Sequence, residues 1–288
     1  MTNRTRLELL IVSVVLMAAA LYLKPTGAPD ATFSFAPLLQ RVTPAVVNVA
    51  AFGPAEEKGG SHLAGSDGSP LELSVQSEPA QNIGSGVIVD AEQGLILTNR
   101  HVVQNATQII VTLTDRRQLD AVLVASDPGT DVALLRVTAT DLVPLPFGDS
   151  ARVEIGDPGV ANGKSFGLGQ TATSGIVSAL GRGGMTLEGY ENYIQTDASI
   201  NPGSSGGPLI DTEGRMMGLN TAILAPAGNN VGIGSAIPSN MAHEVALQLV
   251  KHGEVRRGRL GIKMQDVTPP LSAALALPVD RGALVTEV

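Results

Sequence analysis

Short apolar runs separated by turn residues recur along the chain from Gly84 to Pro238. Most of these runs have the length of a single strand and are bounded by Gly, Pro, Asn, Asp or Ser. No long helical pattern alternates with them, as the βαβ units of a parallel sheet would require. The pattern therefore predicts an all-β fold, an antiparallel barrel or sandwich. The runs are GVIVD, GLILTN, QIIVTL, AVLVAS, VALLRV, ATSGIVSAL, NYIQTD, PLIDTEGRMMGLN and VGIGSAI.

One convincing helix is predicted after these runs, at residues 238–252. Apolar residues recur there at helical spacing, and Gly253 follows as a terminator. Beyond it, a basic junction at residues 256–259 leads into a new short unit with the runs LGIKMQDV, LSAALAL and GALVTEV. The predicted apolar face of the helix consists of Met241, Ala242, Val245, Ala246, Leu249 and Val250.

The segment from Leu9 to Leu23 is uncharged, preceded by Arg4 and Arg6 and followed by Lys24. Its length suits either a cleaved signal peptide or a short membrane anchor. Cleavage after Ala20 would strand apolar residues at the new terminus, which favours an uncleaved signal-anchor. The arginines place the amino terminus in the cytoplasm and the remaining chain beyond the membrane. Residues 53–83, rich in Gly, Ser, Pro and Glu, are predicted to be a long mobile loop.

The chain is acidic and contains few aromatic residues. Its net charge is -8, Trp is absent and aromatic residues make up 3%, which argues against a nucleic-acid partner. Cysteine is also absent, and this excludes disulfides, thiolate catalysis and cysteine-ligated metals. Any nucleophile must therefore be of another residue type.

The segment NPGSSGGPL at residues 201–209 is the most informative stretch. A glycine-rich turn before an apolar strand can present a serine with neighbouring backbone amides pointing at one place, as an acyl-transfer nucleophile needs. A plain glycine-rich hairpin turn is the alternative interpretation.

A serine nucleophile needs a base, and the chain has four histidines. His101 differs from the others because it directly follows an apolar strand, although a capping or packing histidine is the alternative. Asp131 begins another apolar strand after a tight turn, where a local cap is the alternative. Together with Ser205, these residues occur in the His, Asp, Ser order of two-barrel serine proteases.

The motifs TNRHVV, GTDVALLRV and QTDASINPGSSGGPL, with LGQTATSGIVSALGR and GIGSAIP, resemble the HtrA/Deg branch of trypsin-like serine proteases over residues 36–255. The resemblance implies a double six-stranded antiparallel β-barrel and a serine endopeptidase without metal or cofactor. It also implies that His101 is the general base, Asp131 its orienter and Ser205 the nucleophile, with the amides of Gly203 and Ser205 as the oxyanion hole.

The same resemblance indicates the primary specificity pocket. Ser199 stands six residues before Ser205, at the position that typically lies at the base of this pocket in trypsin-like enzymes. A neutral serine offers no partner for Lys or Arg, and Ile200, Leu219 and Ile223 are aliphatic. We expect cleavage after small aliphatic residues such as Val or Ala.

The anchor, the short loop and the carboxy-terminal unit make the chain similar to DegS-like members of the family. This implies an anchor at residues 1–30, a protease domain at 31–255 and a partial PDZ domain at 256–288. Such proteins lie in the bacterial inner membrane as periplasmic homotrimers that cut an anti-sigma factor or misfolded proteins during envelope stress. Phe33 and Phe35 are predicted trimer contacts, and Arg182 matches the regulatory arginine of the family.

One stretch departs from the family pattern, the Asn162–Ser165 segment preceded by Pro158. Asn162 and Lys164 need solvent or partners and Pro158 lacks a donor, so we predict a weakened strand. The departure motivates a rival hypothesis, a protease-like binding module or holdase chaperone. The stretch also mimics a phosphate-binding loop, but the glycine spacing is one residue short and no long helix follows.

Overall fold

The computed structural model describes residues 34–55, 79–163, 170–183, 190–221, 232–258 and 260–288. The chain divides into two compact units, Met1–Gln40 and Arg41–Val288. The predicted anchor at Leu9–Leu23, Phe33 and Ile223 lie outside the described residues. Within the described part of the chain, no helix is both long and apolar enough to cross a membrane.

The first barrel closes six antiparallel strands in the order β1-β2-β3-β6-β5-β4. Two helical turns precede it, α1 (Ala36–Val42) and a 3-10 turn (Thr43–Ala45), and a short helix, α2 (Arg100–Val103), follows β3. The strands are β1 (Val46–Ala55), β2 (Pro79–Asp90), β3 (Leu95–Asn99), β4 (Gln108–Thr112), β5 (Gln118–Asp127) and β6 (Val132–Arg136).

The second barrel closes six antiparallel strands in the order β10-β11-β12-β9-β8-β7. A 3-10 turn at Ser150–Arg152 precedes it. The strands are β7 (Pro158–Gly163), β8 (Thr171–Arg182), β9 (Tyr193–Thr196), β10 (Pro208–Ile210), β11 (Met216–Thr221) and β12 (Gly234–Pro238).

The predicted double six-stranded barrel is confirmed. Inward-facing aliphatic residues fill each barrel, among them Val47, Val111 and Leu135 in the first and Val177 and Leu209 in the second, all fully buried. β-Branched side chains pack well on such pleated surfaces, and each fully buried side chain stabilises the fold by roughly 1.5–3 kcal/mol. Aliphatic packing therefore replaces the large aromatic core that the composition does not supply.

One boundary prediction is wrong, and one predicted weakness is not visible in the strand pairing. The predicted loop at 53–83 is too long at both ends, because its first residues belong to β1 and its last to β2, with Ala55 opposite Pro79. The strand that we predicted to be weakened does form, and β7 pairs with β8 along its whole length and with β10 at Val160 and Ala161. Pro158 is the first residue of the strand, where the missing donor costs least.

Among the described residues, Asn162 has neither the solvent contact nor the partners that we predicted it would need. Asn162 is 1% exposed, and neither polar atom of its side chain has a hydrogen-bond partner among the described residues. Lys164 and Ser165 lie outside the described residues.

The predicted long helix is α3 (Ser239–His252), and Gly253 ends it in the left-handed conformation with φ 71°. Its buried face holds Ala242, Val245, Ala246 and Leu249, but Val250 is 42% exposed, so its predicted place on that face is wrong. After the helix, β13 (Lys263–Asp266) and β14 (Ala283–Glu287) form a two-stranded antiparallel sheet. Helix α4 (Pro269–Leu275) connects them.

Candidate active site

His101 and Asp131 form a close pair at the end of the first barrel. The Nδ1 atom of His101 lies 2.7 Å from Oδ2 of Asp131, and the backbone N–H of His101 donates to Oδ1 at 2.9 Å. A carboxylate can only accept, so Nδ1 carries the proton and Nε2 of the neutral ring is left with a lone pair. The histidine side chain is 42% exposed and the aspartate 15%, so the ring is open to solvent while its carboxylate stays sheltered.

Asp131 is held by strand ends on both sides. Its backbone is left-handed, with φ 59°, a conformation that aspartate tolerates better than most residues. Its carbonyl accepts hydrogen bonds from the N–H of Arg100 at 2.8 Å and from Nδ2 of Asn99 at 3.2 Å. The hydroxyl of Thr221, on β11 of the second barrel, lies 3.3 Å from Oδ2. The carboxylate therefore bridges the two barrels.

Ser205 lies in a buried turn before β10 and is 4% exposed. Its carbonyl accepts a hydrogen bond from the N–H of Ser85 at 2.7 Å. A side-chain carbon added at Gly84 would lie 2.7 Å from Val102 and 3.1 Å from the Ser205 carbonyl, so a glycine here lets the Ser205 turn approach the helix that carries His101. Among the described residues, the Ser205 hydroxyl forms no hydrogen bond with the His101 ring. Hydrogen bonds between a nucleophile and its base are often long in structures without substrate.

Gly206 cannot be another residue in this turn. Its φ is 84°, and a side-chain carbon there would lie 2.1 Å from the Ser85 carbonyl and 2.4 Å from the Thr98 hydroxyl. The backbone thus packs directly against the first barrel, which explains the glycine that follows the candidate nucleophile.

The amides near Ser205 divide into paired and unpaired groups. The N–H groups of Ser204, Gly206 and Gly207 donate to backbone carbonyls at 2.8 Å, 2.9 Å and 3.0 Å. Within the described parts of the chain, the N–H groups of Gly203 and Ser205 donate to no acceptor. Two free donors beside a candidate nucleophile are what an oxyanion hole requires.

The residues predicted for the specificity pocket have different environments. Ser199 is exposed, and its carbonyl accepts the Thr173 hydroxyl at 2.8 Å. Ile200 is 5% exposed, and a side-chain carbon at Gly234 would lie 2.9 Å from its Cδ1. Leu219 is fully buried within the sheet and offers no accessible surface to a ligand in this structure.

Arg182 ends β8 on an exposed site and pairs with Tyr193 across the sheet. Its Nε donates to Oε1 of Gln195 at 3.1 Å.

Burial, followed by the negative charges of Glu191 and Asp131, raises the pKa of Tyr193 to about 12. This tyrosine therefore stays neutral beside the candidate site.

Three residues that support the Asp131 turn, Arg257, Asp127 and Tyr190, were not predicted as site residues from the sequence. Arg257 contacts the Asp127 carboxylate with both Nη atoms, at 2.7 Å from Nη1 to Oδ1. It also stacks over the Tyr190 ring, with its central carbon 4.3 Å from the ring centroid. The N–H of Tyr190 donates to the Gly129 carbonyl at 2.8 Å. Only the turn sequence DPGTD signalled that Asp127 has a structural role.

The charge of Asp127 depends on these partners. Burial opposes ionisation, but hydrogen bonds from Arg257 and Thr130 and the positive charge of Arg257 outweigh it and hold the pKa of Asp127 below its usual value. The N–H and hydroxyl of Thr130 lie 3.0 Å and 2.6 Å from Oδ2. The turn that ends at Asp131 is thus fixed by a charged cluster.

Known proteins resemble this chain along most of its described length. Residues 84–219 match the trypsin-like peptidase domain. The chain is 49% identical over 259 residues to the periplasmic pH-dependent serine endoprotease DegQ of Escherichia coli K12, covering 88% of this chain and 56% of that protein. It is 44% identical over 280 residues to the periplasmic serine endoprotease DegP of the same strain, covering 88% of this chain and 59% of DegP. The chain thus spans little more than half the length of these two relatives.

A solved structure agrees with these sequence matches. The HtrA-type protease AlgW with a tripeptide superposes with a TM-score of 0.74 at 41% identity, covering 89% of this chain and 76% of AlgW. AlgW with a decapeptide gives a TM-score of 0.71 at 40% identity, covering 89% of this chain and 79% of AlgW.

Proposed function

Because the chain belongs to the HtrA family of trypsin-like serine proteases, we propose that it is a serine endopeptidase that cleaves polypeptides in the bacterial periplasm. The observation that carries the proposal is the 2.7 Å contact between His101 and Asp131, beside the turn that holds Ser205. Both relatives named above are periplasmic serine endoproteases.

The proposed reaction uses three side chains in sequence. Nε2 of His101 takes the hydroxyl proton of Ser205 as Oγ attacks the peptide carbonyl carbon, and the Asp131 carboxylate stabilises the imidazolium that forms. The amides of Gly203 and Ser205 bind the oxyanion. His101 then returns the proton to the leaving amine, and an acyl-enzyme remains on Ser205. His101 then takes a proton from a water that attacks this ester, the bond from the acyl carbon to Oγ breaks, and His101 returns the proton to Oγ.

The pocket chemistry favours small aliphatic side chains at the cleaved bond. Ser199 brings no charge, and Ile200 narrows the space beside Gly234. Ile223 is assigned to the pocket from its position in the sequence. Leu219 is fully buried, so it would contribute by shaping the sheet behind the pocket. We infer Val or Ala as the preferred residue before the scissile bond.

The amino-terminal sequence and the periplasmic relatives support a proposal for the cellular setting. We propose a single inner-membrane anchor at Leu9–Leu23, a homotrimer built through Phe33 and Phe35, and residues 256–288 as the opening of a PDZ domain. Candidate substrates are misfolded proteins and a membrane-bound anti-sigma factor. Arg182 is the proposed regulatory residue, linked to β9 through Gln195.

A fluorophosphonate probe tests the proposal directly. An activated serine should add the phosphonyl group once, giving an intact-mass increase that maps to Ser205 and disappears in Ser205→Ala and His101→Ala. Ser204→Ala is the matched control, since it removes the neighbouring hydroxyl and should leave labelling in place. A folded chain that binds unfolded polypeptides but takes no label would instead support a binding module or chaperone.

A further inference from the structure

Ser85 connects the first barrel to the candidate nucleophile turn of the second. It lies on β2 and is fully buried. Its hydroxyl donates to the Gly203 carbonyl at 2.6 Å, and its backbone N–H donates to the Ser205 carbonyl at 2.7 Å. One residue therefore holds both carbonyls that flank the proposed oxyanion hole.

The geometry of the peptide group makes these two contacts informative. The carbonyl and N–H of a peptide group lie in one plane and point in opposite directions. The group after Gly203 is held at both ends, because Ser85 binds its oxygen and its N–H, on Ser204, donates to Asn201 at 2.8 Å. The group after Ser205 is held likewise, because its N–H, on Gly206, donates to Asn220 at 2.9 Å.

These constraints decide which amides remain unpaired. The peptide group between the two fixed ones has its carbonyl, on Ser204, bound to the N–H of Gly207 at 3.0 Å. Its own N–H, on Ser205, is left to point away from the turn. Gly203 has φ 94°, a conformation from which a glycine can rotate at low cost. Rotation at Gly203 is therefore opposed by two contacts, the hydrogen bond from the Ser85 hydroxyl to the Gly203 carbonyl and the bond from the Ser204 N–H to Asn201.

Ser85 is itself anchored near the histidine. The Thr98 hydroxyl donates to the Ser85 carbonyl at 2.7 Å, and Thr98 lies on β3, three residues before His101. The strand that positions the proposed base therefore also fixes the residue that shapes the proposed oxyanion turn.

We propose that Ser85 is a positioning residue for catalysis, whose hydroxyl keeps the amides of Gly203 and Ser205 directed at the developing oxyanion. This inference rests on the proposed endopeptidase function. Because the oxyanion exists only during reaction, loss of the hydroxyl lowers kcat and leaves KM nearly unchanged.

The test compares Ser85→Ala with Ser239→Ala, using peptide cleavage, thermal unfolding and inhibition by a peptide boronate. Ser239 is an equally buried serine whose hydroxyl donates to a glycine carbonyl, that of Gly148, at 2.8 Å. Removing an oxyanion donor typically costs about 100- to 1,000-fold in kcat, so loss of its positioning contact should cost roughly 10- to 100-fold. Boronate, which forms a tetrahedral adduct, should bind Ser85→Ala more weakly by a similar factor. Ser239→Ala should keep both values within about twofold, although it loses a comparable hydrogen bond.

Each outcome has a defined meaning. Equal kcat and boronate affinity in the two variants would overturn the role of Ser85 while leaving the endopeptidase function intact. A wild-type chain with no cleavage and no fluorophosphonate label would instead refute the function itself. If Ser85→Ala does not fold, Ser85→Cys decides, because the thiol keeps the volume and donates weakly, so an intermediate kcat is expected. Failure of both variants to fold would show a purely structural role and overturn the proposal.

Discussion

Arg257 and Asp127 form a two-point ion pair although 130 residues separate them in the sequence. Asp127 is 3% exposed, and its turn ends at Asp131, which contacts the proposed catalytic base His101. The segment after helix α3 therefore stabilises the turn on which the candidate site depends.

Replacing Arg257 with Met should destabilise the chain at neutral pH by about 1–2 kcal/mol, because a buried carboxylate loses its partner while the Arg257 side chain is itself partly exposed. The folded pKa of Asp127 lies below its usual value, so the stabilisation is fully present above about pH 4 and is lost as the pH falls through the folded pKa. Urea unfolding from pH 3 to 7 should show the difference from wild type shrinking in acid. Arg256→Met is the control, since the Arg256 side chain forms an ion pair with exposed Glu254. A pH-independent difference at Arg257 would contradict the ion-pair account.

Asp131→Asn should lower kcat by roughly 1,000- to 10,000-fold, because the amide can donate to the histidine ring and favour the wrong tautomer. Asparagine also tolerates the left-handed backbone of this position, so the melting temperature should change little. Thr221→Val removes only the 3.3 Å contact to Oδ2 and should cost about three- to tenfold. Exposed Asp120 provides the control substitution, Asp120→Asn, and near-wild-type cleavage by Asp131→Asn would remove Asp131 from the proposed triad.

Ser199→Asp should shift cleavage toward Lys and Arg, because it places a carboxylate at the proposed base of a neutral pocket. Gly234→Ala should lower cleavage after Val more than after Ala, since its added carbon would lie 2.9 Å from Ile200 Cδ1. A peptide library profiled with wild type and both variants measures these preferences. A wild-type profile dominated by Lys or Arg would show that the pocket is assigned incorrectly.

Phe33 and Phe35 supply the predicted trimer contacts, so their joint replacement with Ser should convert a soluble fragment starting at Thr32 from three chains to one. Aromatic side chains are common anchors of such interfaces. Light scattering gives the mass, and Leu180→Ser is a control because Leu180 is an exposed leucine of β8. An unchanged trimer would exclude both phenylalanines from the interface.

Arg182→Ala should shift the basal cleavage rate if the Arg182–Gln195 contact biases the β8–β9 segment between two states. Gln195→Ala removes the same hydrogen bond from the other side and should give a shift in the same direction. The measurement is the steady-state rate at which wild type and both variants cleave one peptide. Opposite shifts would mean that Arg182 acts through another residue.

The sequence was sufficient to predict the barrels because the strand signal is local. Apolar runs and glycine-rich turns set the strands, and the resemblance supplied their closure into two barrels. The strand at Pro158 forms because β7 begins at that residue, where a missing backbone donor costs least.

From the sequence, only those residues of the candidate site could be predicted that stand in a motif and would themselves take part in the chemistry. His101, Asp131 and Ser205 stand in recognisable segments, whereas Arg257 and Ser85 act through partners far away in sequence. No local pattern indicates that a serine in GSGVIVD binds the Gly203 carbonyl, which lies 118 residues later. Such roles depend on how the barrels pack together.

The division of the proposed triad between two barrels also affects when activity can arise. Domains of a chain generally fold as units, the amino-terminal one first, so strands β1 to β6 can place His101 beside Asp131 before the second barrel brings Ser205 to them. A chain with only its first barrel folded then holds the proposed base and its carboxylate but not the proposed nucleophile turn. The proposed proteolytic activity therefore needs both barrels and arises only when the second barrel has folded.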